Sequence, residues 1–123
     1  MLKAGVFEGF KGATSLLIWG DDEGMVALFA GLSALREHKR KDFTIDGSDT
    51  TLTVCSTSRE GDFSTLRKEE SGFRWECSRD TIELAADLVE PLLEEGAGHQ
   101  FLDVEGLAEQ VIIARNEYPA NLR

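Results

Sequence analysis

Reactive side chains are scarce in this chain. It holds two cysteines and two histidines. Cys55 and Cys77 lie too far apart in sequence for a metal knuckle or a CxxC redox pair. Both fall in segments that read as strands, where a free cysteine packs as a small hydrophobe. A reduced, structural state is expected, since nothing indicates the oxidising compartment that a disulfide requires. Long apolar runs are missing as well: none approaches the roughly 20 residues that span a bilayer. Residues 1–8 lack the apolar core of a secretion signal, so a cytoplasmic location is expected. Cations are in deficit, with 13 Lys and Arg against 23 Asp and Glu and a net charge of −10. That field repels phosphate backbones and anionic lipid at long range, so neither nucleic acid nor a membrane is an expected partner. Beyond plain solubility, it suits the capture of a basic protein partner. Repeats, linkers and low-complexity stretches are absent too, and residues 1–123 are expected to form a single α+β domain.

What is present is organised around residues 14–38. Thr14-Ser15-Leu16-Leu17-Ile18-Trp19 reads as a strand buried on both faces, because its apolar residues run consecutively. Gly20-Asp21-Asp22-Glu23 then opens a helix, with Asp21 or Asp22 as cap and the acids at the positive end of the dipole. Met25, Leu28, Phe29, Leu32 and Leu35 form its core-facing stripe. If Trp19 and Phe29 are buried, truncating either to alanine should cost about 3–5 kcal/mol. Arg36, His38, Lys39, Arg40 and Lys41 complement the negative end of the helix. The same cluster is also a potential anion site.

Before this unit, Leu2, Ala4, Val6 and Phe10 suggest a first strand that pairs with residues 14–19 as a hairpin. Gly9-Phe10-Lys11-Gly12 supplies the turn. It is not a phosphate loop, because its glycines lead into a strand and not a helix. After the unit the period changes to two. Phe43 and Ile45, residues 51–55, residues 63–66 and Phe73-Arg74-Trp75-Glu76-Cys77 suggest an antiparallel meander with one face on the core. Ser78-Arg79-Asp80-Thr81 starts a second helix, in which Asp80 and Glu83 have capping-box spacing. Its buried stripe is Ile82, Ala85, Ala86, Val89 and Leu93, and Pro91 should kink or stop it. Residues 99–104 and 111–114 read as closing strands. The economical architecture is a mostly antiparallel sheet with two helices packed on one face, in the order ββα-βββ(β)-α-ββ.

Candidate chemistry is thin. His99, with Cys55 or Cys77 and an orienting Asp103 or Glu105, would make a thiol-imidazole site for a small hydrolase or thiol enzyme. His38 has no orienting carboxylate. Asp21, Asp22 and Glu23 with Asp103 or Glu105 have the oxygen ligands for Mg²⁺ or Ca²⁺, but the alternating acids of a calcium loop are missing and capping explains the three. No catalytic set, metal site or cofactor is therefore assigned. Asp21, Asp22, Trp75, His99, Asp103 and Tyr118 are the candidate binding residues. Trp75 and Tyr118 are the aromatic anchors of a contact patch should they be exposed.

Trp19-Gly20-Asp21-Asp22-Glu23-Gly24, Gly98-His99-Gln100-Phe101-Leu102-Asp103 and Glu117-Tyr118-Pro119 resemble small bacterial α+β proteins of unassigned function. In size, acidity and layout the chain is also similar to immunity proteins of bacterial polymorphic-toxin systems. That resemblance implies a partner-binding role and transfers no functional residue. The expected function is thus a non-catalytic, inhibitor-like interaction module for a basic protein. A homodimer formed through a sheet edge is the other assembly to consider.

Overall fold

The computed structural model describes residues 1–10, 12–47, 50–94 and 98–117. Strands β1 (Leu2–Phe10) and β2 (Ala13–Gly20) precede helix α1 (Asp22–Arg36). Strands β3 (Asp42–Asp46), β4 (Thr51–Ser56), β5 (Ser64–Glu69) and β6 (Gly72–Cys77) follow. Helix α2 (Arg79–Val89) continues into a 3₁₀ turn (Glu90–Leu93), and β7 (Gly98–Asp103), β8 (Glu105–Gly106) and β9 (Gln110–Arg115) complete the order. This is the expected α+β class and element order. No helix among the described residues is long and apolar enough to cross a membrane.

In place of the single sheet expected, the strands divide between two mostly antiparallel sheets, β1-β2-β9-β7 and β3-β4-β6-β5-β8. The opening hairpin forms as expected, with Ala4 opposite Ile18 and Val6 opposite Leu16. The meander is altered at one point: β4 and β6 are parallel neighbours, and β5 lies beyond β6. Burial explains the exchange. Leu52, Val54, Trp75 and Cys77 of the central pair all enter the core, whereas β5 carries exposed Arg67 and Lys68. A charged strand is better placed toward an edge, where its cations meet water and discourage further pairing. Gly72 permits the parallel start, since a Cβ there would sit 2.0 Å from the Thr51 carbonyl oxygen.

One core joins both sheets to both helices. Leu16, Ile18, Val111 and Ile113 meet Leu52, Val54 and Trp75 across Met25, Leu28, Leu32, Ile82, Ala85 and Val89. Phe29 packs at the rim of this core and is only half-buried. Leu17, Ile112 and Ala114 form a separate cluster with Phe7 and Trp19 on the opposite face of the first sheet. Trp19 is therefore half-buried and outside the main core.

Helix ends follow local chemistry. Asp21 caps α1 by accepting from the Gly24 amide at 2.9 Å, with Asp22 and Glu23 in the first turn. At the other end the amides of His38 and Lys39 return to the carbonyls of Leu35 and Ala34, which closes a Schellman-type stop. His38 occupies its left-handed position at φ 61°, where glycine is usual. Ser78, not Asp80, caps α2, accepting from the Thr81 amide. Pro91 stops α2 as expected, turning it into the 3₁₀ segment, and Leu92 takes the buried place expected of Leu93.

Candidate functional site

The residues singled out from sequence go to several places. Asp21 is held by its cap and by the Met1 ammonium at 2.8 Å; that contact, then the Gly24 amide, pulls its carboxyl below the ordinary value. Asp22 accepts from Arg115 at 2.7 Å and from Asn116, which likewise lower its pKa. Both acids thus bind cations of the chain itself. Trp75 is fully buried and donates its indole N–H to Ser64 Oγ at 2.8 Å, so it is no surface anchor. Its place in the centre of a sheet covered by helices removes it from any contact patch. Tyr118 lies outside the described residues.

The thiol-imidazole arrangement does not form among the described residues. His99 lies on β7 of the first sheet, 2.7 Å from Glu117 and edge-on to Phe101. Cys55 and Cys77 belong to the second sheet, where Cys77 pairs with Ser56 and Cys55 with Glu76, so the two thiols alternate in facing. Cys77 joins the core, and burial pushes its thiol well up. Burial also raises Cys55, against the opposing pull of the Arg74 guanidinium. Both shifts run opposite to nucleophile activation.

Of the five candidates among the described residues, Asp103 lines an acidic cleft. With Glu60, Asp62 and Glu105 it surrounds a hollow of about 310 Å³ that also meets Phe63, Ser64 and Arg59. All of these carboxylates are exposed, and none makes an ion pair within the described residues. The Arg59 guanidinium stands 4.2 Å from the centroid of the Phe63 ring, a cation–π geometry inside the hollow. Among the described residues no group of three or more His, Cys, Asp or Glu side chains is placed to hold a metal ion. The chemistry on offer is electrostatic: a rim of carboxylates around an aromatic face already shown to accept a guanidinium.

The cleft is built from three segments. Residues 57–63, between β4 and β5, supply Arg59, Glu60, Asp62 and Phe63. The end of β7 brings Asp103, and the short β8 brings Glu105, in parallel register with Thr65 of β5. The α2 cap locks the loop end. The Phe63 amide donates to Ser78 Oγ at 3.1 Å, and the Phe63 carbonyl accepts from the Ser78 amide at 2.8 Å and the Thr81 hydroxyl at 3.0 Å. Next to it, Ser64 accepts the Trp75 indole N–H. A buried polar network of this sort fixes the Phe63 backbone and hence its ring.

Phe63 was expected only as the start of a strand, and Asp62 and Glu60 were not singled out from the sequence. The available signal was Ser78-x-x-Thr81 after a strand, whose second hydroxyl seeks an acceptor outside its helix. No protein-family model matches the chain, and no curated protein matches it.

Proposed function

We propose that this protein is a non-catalytic binding module that captures a basic protein partner at the cleft formed by Asp62, Phe63, Asp103 and Glu105. The observation that carries this reading is the set of carboxylates, without an ion pair among the described residues, around a ring that already stacks a guanidinium. Some acids elsewhere are matched, Asp22 with Arg115, Glu69 with Arg74 and Glu76 with Arg67, and others stand singly on the surface; the cleft differs in gathering four around an aromatic face. Here they are left for a cation from outside. The net charge of −10 would steer such a partner, and an arginine or lysine displacing Arg59 from Phe63 would anchor it. The reading agrees with the likeness in size and acidity to immunity proteins, and it presumes a cytoplasmic setting.

The test compares proteins retained from cell extract by the wild-type chain, by Asp103→Asn/Glu105→Gln, and by Glu8→Gln/Glu70→Gln. The last pair changes net charge equally but lies away from the cleft. A basic protein retained by the wild type and the remote variant, and lost by the cleft variant, supports the proposal. Arg59→Ala, which empties the ring face and removes a competing cation, should tighten the same association. Equal retention by all three forms would refute it.

A further inference from the structure

The loop of residues 57–63 has a second side, and its charge is reversed. There the C-terminal end of α1, the end of β4 and the start of α2 enclose a cleft of about 480 Å³. Arg36, His38 and Lys41 reach it from one side and Arg79 from the other, with the hydroxyl residues Ser56, Thr57 and Ser58 between them. Its floor is apolar, formed by Leu35 and Ile82, which are almost wholly buried. The volume lies within the range of about 300–1,000 Å³ typical of small-molecule sites.

Helix-dipole complementation accounts for cations on the last turn of α1 and just beyond it. It does not account for Arg79, which comes from the opposite end of another helix, or for three successive hydroxyl residues facing the same space. Arg36 and Lys41 have no ion pair among the described residues, and Arg79 has only a 3.9 Å contact to Glu83 on a half-exposed surface. Ser78 caps the Thr81 amide, so the Arg79 and Asp80 amides before it have no protein acceptor among the described residues. In a chain of net charge −10 this concentration of donors is local. At physiological salt the charge beyond about 8 Å is screened, so the nearby cations govern what enters.

We propose that this cleft binds a phosphate monoester whose organic body lies along the aliphatic stems of Arg36, Lys41 and Arg79 above that floor. A dianion with three terminal oxygens matches cations arriving from two directions with hydroxyl donors between them. A carboxylate, with two oxygens in a plane, would leave part of that set unused. The site is independent of the acidic cleft, although Glu60 and Asp80 border the space between the two.

Amide NMR titration at constant ionic strength, with inorganic phosphate and with phenyl phosphate as probes, tests this. Saturable shifts confined to residues 35–41, 56–59 and 79–82 are expected, with phenyl phosphate binding more tightly. Arg79→Gln and Lys41→Gln, both at exposed positions, should each weaken it about tenfold. Lys68→Gln on β5 serves as the charge-matched control and should leave it unchanged. Non-saturating or scattered shifts, or equal weakening by Lys68→Gln, would overturn the proposal. Equal affinity for the two probes would overturn the organic body and leave a site for free phosphate.

Discussion

Two residues carry more of the structure than their positions in the chain suggest. Trp75 fills the core beneath both helices and satisfies Ser64, whereas Trp19 sits half-covered on the far face of the first sheet. Trp75→Ala should cost about 3–5 kcal/mol in urea unfolding, and Trp19→Ala distinctly less. Equal losses would contradict this placement. Arg115 is the other: buried at the end of β9, it donates to Asp22 at the start of α1 and to the Leu92 carbonyl in the 3₁₀ turn. Its guanidinium, and then Asn116, hold the Asp22 carboxyl below its ordinary value. A carboxyl with a lowered folded-state pKa stabilises above its unfolded pKa of about 4, and that contribution fades as pH falls through the folded value. Asp22→Asn should therefore lower stability at pH 7 and make little difference near pH 2. A deficit of the same size at both values would show that the charge is not involved.

At the scale of elements, the end of α1 offers a test that separates stability from binding. His38 holds a left-handed backbone that costs a non-glycine residue about 1–2 kcal/mol. Glycine would relieve that strain and add about 0.4–1 kcal/mol of unfolded-chain entropy in exchange. His38→Gly should thus be neutral or stabilising in urea melts, and a clear loss would mean that the imidazole makes a structural contact. Elements were readable where local chemistry decided them. The acids before Met25, the alternation through Trp75 and the block at Pro91 placed α1, β6 and the end of α2 close to where they lie. Partnering was less readable. Nothing in the order of β4, β5 and β6 announces that β4 and β6 pair in parallel, because that choice depends on which strands the helices cover. Trp19 misled for a related reason: an apolar run fits two buried faces but does not say which residues meet the larger core. Of the candidate site Asp103 was anticipated as a binding residue and Glu105 only as an orienting or metal-ligating carboxylate, since the remaining members come from a loop that no periodicity marks.

For the whole molecule the sequence charge understates what is arranged in space. A single loop, residues 57–63, separates a cleft rimmed by Glu60, Asp62, Asp103 and Glu105 from one lined by Arg36, Lys41 and Arg79. The α2 cap pins its end through Ser78 and Thr81. Net charge governs long-range approach, whereas these local fields choose what is held. The most direct test of the acidic cleft is the association rate constant for the captured basic protein, followed against salt for the wild type and both double variants. The account predicts a steep fall with salt for the wild type and for Glu8→Gln/Glu70→Gln. For Asp103→Asn/Glu105→Gln it predicts slower association and a shallower salt dependence. Indistinguishable rates and slopes for the three proteins would contradict it.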